Sequence, residues 1–251
     1  MSTADLLFEL GTEELPAGEI TGMVRALRQS ITEGLTGHGL SFDSVDDFST
    51  PRRLAVLVQG LVTKGPDLNS TVVGPPLSAA KDESGQWTKA AEGFARKQGV
   101  APEALEIIEE QGIERIVAHV SQQGAEAASV VPDIVARAVT GIPVSKRMRW
   151  GRSRDEFLRP VQWLVLLLGD EVLPLSLFNL SSSRESRGHR FHHNMPVPIA
   201  SPGNYQETLK SARVLCDSTE RRDLIAQQVK ALAAPGESVA LADDLLDEVT
   251  G

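Results

Sequence analysis

The chain has 251 residues, 41% of them hydrophobic and 24% charged, with a formal net charge of −9 and an isoelectric point near 5.1. That is enough apolar material for one large domain or two modest ones, and the overall negative field excludes a protein that coats nucleic acid indiscriminately. The longest apolar run, Trp163 to Leu168, is far short of the roughly 20 residues that span a bilayer. The N-terminus lacks the n-region, h-region and cleavage site of a signal peptide, so no membrane is expected and the cytoplasm is the expected location. A single cysteine, Cys216, excludes an internal disulfide and a cysteine-based zinc cage.

Asp5 to Leu10 is short and apolar and ends at Gly11-Thr12, as a strand entering a turn does. From Pro16 onward, Ile20, Val24, Leu27, Ile31 and Leu35 recur at helical spacing, with a stop at Gly37 or Gly39. Leu54 to Val58 reads as a strand with Arg52 and Arg53 as loop residues at its mouth. Residues 64 to 87, rich in Gly, Pro, Ser and Asp, read as a long connection with one short strand at Thr71 to Val73. Thr88 is an N-cap for a helix over Lys89 to Gln98, and after Gly99 a second short helix is expected from Pro102 to Ile108.

Ile113 to Ser121 alternates as a strand, and Ala125 to Thr140 is a helix stopped by Gly141 and Pro143. Val161 to Leu168 and Val172 to Leu180 are apolar runs joined by Gly169-Asp170-Glu171, which is hairpin chemistry at the centre of a sheet. Helices follow at Gly203 to Ala212 and Ser218 to Ala233, and Asp243 to Gly251 still reads as helix where the chain stops, as in a fragment. Interleaved strands and helices without a steady βαβ period predict an α+β fold: a mixed, largely antiparallel sheet flanked by helices. Two subdomains are expected, 1–63 with 140–200 and 64–139, followed by a truncated helical segment, 203–251.

One stretch contradicts the net charge. Lys146, Arg147, Arg149, Arg152, Arg154 and Arg159 stand against only Asp155 and Glu156, with Trp150 among them, and Arg184, Arg187 and Arg190 follow, interleaved with His189, His192 and His193. Arginine suits phosphate because its planar fork donates two parallel hydrogen bonds, and Trp150 offers a flat face on which a base could stack. The same pattern also fits a solvated loop paired with the chain's own carboxylates, or an interface with an acidic partner.

Other constellations are weaker. Glu13 and Glu14 could bind magnesium or a cationic partner, but carboxylates near a helix start are also favoured by the helix dipole. The three histidines would share a face if helical and could then hold zinc, yet Gly188, Asn194, Pro196 and Pro198 favour a loop in which they add donors beside the arginines. Neither a G-x-G-x-x-G nor a G-x-x-x-x-G-K-[ST] run occurs, and there is no G-x-S-x-G. Cys216 sits in an apolar stretch and reads as core.

Six segments together resemble the beta subunit of the bacterial heterotetrameric glycyl-tRNA synthetase. They are Phe8-Glu9-Leu10-Gly11-Thr12-Glu13-Glu14-Leu15-Pro16, Pro51-Arg52-Arg53-Leu54, Lys89-Ala90-Ala91-Glu92-Gly93-Phe94-Ala95-Arg96, Lys146-Arg147-Met148-Arg149-Trp150-Gly151, Phe157-Leu158-Arg159-Pro160 and Gly188-His189-Arg190-Phe191. Val73 departs from the pattern, standing where the family commonly has a basic residue. The resemblance covers the whole chain but about the first third of a family member, without its HD-like and anticodon-binding regions.

The resemblance implies a partner alpha subunit, an alpha2-beta2 tetramer, and activation of glycine with ATP and magnesium on alpha while beta supports binding of tRNA(Gly). No catalytic or metal-binding residue is then expected in this chain. The candidate nucleic-acid contacts are Arg52, Arg53, Lys146, Arg147, Arg149, Trp150, Arg159, Arg187 and Arg190, with Arg149, Arg159, Arg187 and Arg190 lining a groove. The alternative is a structural or subunit-assembly module without RNA contact; a histidine-centred metallohydrolase is a third possibility.

Overall fold

The computed structural model describes residues 2–82, 84–110, 112–151, 154–232 and 239–251. It divides into two compact units, Met1–Lys64 with Ala125–Gly251, and Gly65–Gly124. Among the described residues every strand ladder is antiparallel, and helices flank the sheets, so the fold is α+β.

The first unit opens with β1 (Thr3–Thr12), α1 (Ala17–Gly37), β2 (Ser44–Thr50) and β3 (Arg53–Val62). The insertion supplies β4 (Leu68–Pro76), α2 (Leu77–Ala80), α3 (Lys89–Gln98), β5 (Glu106–Glu110) and β6 (Ile113–Gln122). The chain then returns through α4 (Ala127–Thr140), the short β7 (Met148–Arg149) and β8 (Glu156–Phe157), and β9 (Val161–Leu168). Short strands β10 (Glu171–Val172), β11 (Ser176–Leu177), β12 (Leu180–Ser181), β13 (Glu185–Arg187) and β14 (Pro196–Pro198) lead to α5 (Tyr205–Ser211), α6 (Ser218–Ala231) and α7 (Asp243–Thr250).

The main sheet has the order β10-β9-β1-β3-β2. β1 lies at its centre with both faces covered, which is why its sequence is an apolar run rather than a clean alternation. Leu6, Phe8 and Leu10 face α1 and α4, in a core with Leu54, Val56 and Val58 of β3. The expected helical stripe of α1, Ile20 to Leu35, is buried there. Leu7, Ala55, Leu57, Trp163, Val165 and Leu167 face the opposite way, against Val197, Tyr205 and Leu209.

α4 packs its buried Val131, Ile134, Val135 and Ala138 into the α1 core, so it belongs to the first unit and not, as the expected boundary at 139 had it, with the insertion. The second apolar run, Val172 to Leu180, does not form one strand. Glu171 and Val172 pair with β9 and Leu173 N still donates to Leu166 O, but the pairing ends there because Pro174 cannot donate to a ladder. Phe178 and Asn179, at φ 55° and 59°, then turn the chain between β11 and β12.

In the second unit the order is β4-β6-β5, and Ala80, Ala91, Ala95, Leu105, Ile116 and Ala118 form its core. Two expectations are corrected here. The expected connection 64–87 holds the nine-residue β4 and the turn of α2. The helix expected from Pro102 to Ile108 is only a 3-10 turn at Pro102–Ala104, after which the β-branched Ile107 and Ile108 pair with Ile116 and Arg115 as strand. Thr88 does cap α3, its hydroxyl accepting from Ala91 N, and Gly99 closes it at φ 72°. Ala233, the expected end of α6, lies outside the described residues.

Candidate nucleic-acid interface

Glu9 sits in the middle of β1 on the Trp163 side of the sheet and is 0% exposed. A bare carboxylate there would be prohibitively costly, and β9, β13, β3 and the start of α5 supply its partners. Trp163 Nε1 and Ser186 Oγ donate to Glu9 Oε1, the latter over 2.6 Å, and the Tyr205 hydroxyl donates to Oε2. Arg53 Nη1 lies 3.7 Å from Oε2. Burial and then the charge of Glu9 push the Tyr205 hydroxyl well above its ordinary pKa of 10, so it remains a donor. Gly11, two residues along on the same face, lets the Trp163 indole lie flat on β1: a Cβ there would come within 1.9 Å of the ring.

Arg53 also donates from Nη2 to the Arg187 carbonyl at 2.6 Å, fixing β13 and the loop beyond it. The expectation that Arg53 is a loop residue outside the core is therefore wrong: it is the first residue of β3, paired with Thr50, 2% exposed, and the counter-ion of Glu9. Arg52 does stay at the strand's mouth, beside the Trp163 ring at 5.8 Å and 4.0 Å from Glu13.

Five of the six segments that carry the resemblance interlock in the first unit. Thr12 N donates to Arg52 O, Leu15 N to Pro51 O and Glu13 N to Pro160 O. Arg159 Nε donates to Glu14 O, and β7 pairs with β8 as Met148 opposite Phe157 and Arg149 opposite Glu156. Arg190 Nη1 reaches Glu14 Oε1 at 3.0 Å. The sixth segment forms α3 of the other unit, where Ala91 and Ala95 are core residues and Phe94 packs on them.

Against this framework opens a cleft of about 440 Å³ in which Arg52, Arg53, Arg190, Arg213 and Arg221 converge with His189 and Phe191, and Glu14 is its one carboxylate among the described residues. Three buried N–H groups on these arginines, Arg52 Nε, Arg53 Nε and Arg221 Nη2, have no hydrogen-bond partner among the described residues. Each of these nitrogens has almost no accessible surface, so they lie behind the wall of the cleft rather than on it. Arg221 is held by its other nitrogens to the carbonyls of Thr250, Ser49 and Leu215. Arg213 follows α5 at φ 63°, a conformation uncommon for a side-chain-bearing residue.

The nine candidate contacts separate. Arg52, Arg53 and Arg190 line the cleft. Arg187 is exposed next to it on β13 and contributes its carbonyl to Arg53. Arg147 donates to the carbonyls of Thr140, Ile142 and Glu156, closing the end of α4. Arg149 pairs with Glu156 at 2.6 Å, and Arg159 is tied to Glu14 O and Leu158 O. Trp150 rests on Phe178 with centroids 5.7 Å apart, partly buried against the core, so it is not the open stacking face that its sequence position suggested. Lys146 is exposed, and Arg152 lies outside the described residues.

Glu13 and Glu14 face arginines rather than the start of α1, whose first-turn acid is Glu19. The histidines form a turn: His189 Nδ1 accepts from the backbone N–H of Phe191 and of His192, each at 3.2 Å. That nitrogen is thus engaged, and among the described residues no three His, Cys, Asp or Glu side chains converge as a metal cluster. Arg213 and Arg221 carry no signal in the sequence, and Phe191 carries none beyond its place in a family segment. Glu9 stands out there as a lone carboxylate in an apolar run.

Among the described residues no helix is long and apolar enough to cross a membrane. The chain matches the family described as glycyl-tRNA synthetase beta subunit over residues 6–251. It is 45% identical over 251 residues to the glycine–tRNA ligase beta subunit of Pseudomonas fluorescens Pf-5 and 45% identical over 252 to that of Pseudomonas aeruginosa PAO1. That of Pseudomonas savastanoi pv. phaseolicola 1448A is 43% identical over 252 residues. Each alignment takes in 100% of this chain but 36% of the relative's length. The interlocked segments around Glu9 and the match from residue 6 onward agree, and the chain belongs to the glycyl-tRNA synthetase beta subunit family.

Proposed function

We propose that this chain is the N-terminal part of a glycine–tRNA ligase beta subunit that works with an alpha subunit, in an alpha2-beta2 assembly of the cytoplasm, to attach glycine to tRNA(Gly). ATP and magnesium are used on the alpha subunit, and this chain contributes tRNA contacts rather than reacting groups. The cleft carries the reading: five guanidinium groups line it with one carboxylate among the described residues, and Arg190 and Arg213 are exposed there. Such a wall binds an anion that brings its own acceptors, as a phosphodiester does.

Charge reversal of Arg190 and Arg213 in the assembled enzyme tests this. Affinity for tRNA(Gly) falls, and the slope of log affinity against log salt shrinks by roughly 0.7 to 0.9 for each phosphate no longer neutralised. Assembly, followed by size-exclusion chromatography, stays intact. The second reading, a structural or assembly module without RNA contact, has its support in the Lys146–Arg159 stretch, where Arg147, Arg149 and Arg159 are spent on the chain's own carbonyls and on Glu156. Loss of assembly with unchanged tRNA affinity would establish that second reading and defeat the first.

A further inference from the structure

Three observations meet at the mouth of the arginine cleft. Phe191 stands there with 81% of its surface exposed, and the Arg190 guanidinium lies 5.9 Å from its ring centroid. A ring left that open adds nothing to the core, but beside cations it is a platform for a planar partner. Behind it, Arg53 is buried with Nε unpartnered among the described residues, and Arg52 Nε and Arg221 Nη2 share that condition. These nitrogens have almost no accessible surface, so an incoming anion does not bond them and instead meets the positive field that their guanidinium groups lend the wall. Third, about 440 Å³ with Val214 and Leu215 in the wall is more room than a phosphate group needs and lies within the range of small-molecule sites.

Glu14 is the counter-ion already in place. Its pair with Arg190 is half exposed on both sides, so it holds the arginine in position weakly and yields to a stronger anion. The left-handed turn at Arg213 brings one more exposed cation to the same wall.

We propose that the cleft holds one nucleotide of a single-stranded stretch of RNA, its phosphate on the exposed Arg190 and Arg213 and its base stacked on Phe191. This rests on the tRNA-binding reading above and adds to it a preference for unpaired nucleotides, since a base inside a duplex cannot reach the ring. A free nucleotide presents the same phosphate-and-base chemistry and is separated by the experiment.

The assembled enzyme is compared with Phe191→Ala, Phe191→Trp and Arg213→Ala, all changes at exposed side chains, for affinity toward tRNA(Gly), a single-stranded oligoribonucleotide, a duplex RNA and AMP. Phe191→Ala is expected to weaken tRNA(Gly) and the oligonucleotide about tenfold, the effect that removal of one stacking ring brings. Phe191→Trp restores both, Arg213→Ala lowers the salt slope by about 0.7, and duplex RNA competes poorly. If the Arg190 and Arg213 reversals weaken tRNA while Phe191→Ala leaves both RNAs unchanged, the phosphate-reading surface stands and the base pocket is refuted. If the variants alter AMP binding alone, the site is one for free nucleotide and the proposal is overturned.

Discussion

Replacing Arg53 by Met keeps much of its aliphatic stem and removes the only ion-pair partner that Glu9 has among the described residues. The carboxylate then retains three neutral donors, from Trp163, Ser186 and Tyr205, in a site with 0% exposure. Removing one member of a buried pair costs about 3–5 kcal/mol, because the other charge is left uncompensated. The 2.6 Å bond from Arg53 to the Arg187 carbonyl disappears at the same time, which places the cost in the upper half of that range. For a chain of this size the melting temperature falls by roughly 10 °C or more. Glu9→Gln strands Arg53 in turn, and the double variant Glu9→Gln/Arg53→Met is expected to cost at least about 2 kcal/mol less than the sum of the singles. Urea titrations followed by tryptophan fluorescence measure all three. Additivity within about 0.5 kcal/mol would show that the two charges do not stabilise one another and would refute the reasoning.

Three further outcomes are expected of the same framework. His189 has its pKa lowered from 6.5, first by burial and then by His192, so its folded pKa lies below the unfolded one. Its contribution to stability is complete above 6.5 and is lost as pH falls through the folded pKa; His189→Gln flattens that dependence, and an NMR titration at or above 6.5 would contradict the assignment. Burial pushes the Cys216 thiol up to about 12, so iodoacetamide at pH 8 modifies it only on unfolding, and rapid labelling of the native chain would show that the site is open. Gly11→Ala drives a Cβ into the Trp163 indole, which its bond to Glu9 holds in place; the cost is about 3 kcal/mol or more, and a destabilisation below about 0.5 kcal/mol would mean that the ring is free to move.

What the sequence disclosed was chiefly periodic. The helical stripe of α1, the cap and stop of α3, and the apolar runs of β1 and β9 are local patterns, and local patterns survive folding. The failures have identifiable causes. Pro102 looked like a helix start, but the pair Ile107-Ile108 finds a strand partner in β6, and tertiary pairing overrides a weak local preference. Arg53 looked solvated because charge in a turn usually is. Its neighbour in space, Glu9, is 44 positions away in sequence, and only the β1–β3 register brings the two onto one face. Arg213 and Arg221 had no periodic or motif signal, since their place at the cleft depends on a left-handed turn and on the docking of α6.

Local charge density proves a poor guide to where this chain has binding capacity to spare. The stretch from Lys146 to Arg159 is its most basic, yet Arg147, Arg149 and Arg159 direct their donors to the chain's own carbonyls and to Glu156. A guanidinium already satisfied offers a phosphate little, because each new bond must replace an existing one. The cleft is built the other way round. Its arginines come from β3 and the turn before it, the β13–β14 loop, the α5–α6 connection and the first turn of α6; Arg53 and Arg221 are tied to the chain's own groups behind the wall, while Arg190 and Arg213 are exposed at it. The family segments accordingly divide by function within themselves: in Gly188-His189-Arg190-Phe191 the glycine allows the turn, with His193 O only 2.4 Å from where its Cβ would stand, and the histidine ties that turn through Nδ1. The arginine and phenylalanine are left facing outward, and on the proposed reading those two, rather than the denser basic run before them, are where RNA affinity is expected to respond to substitution.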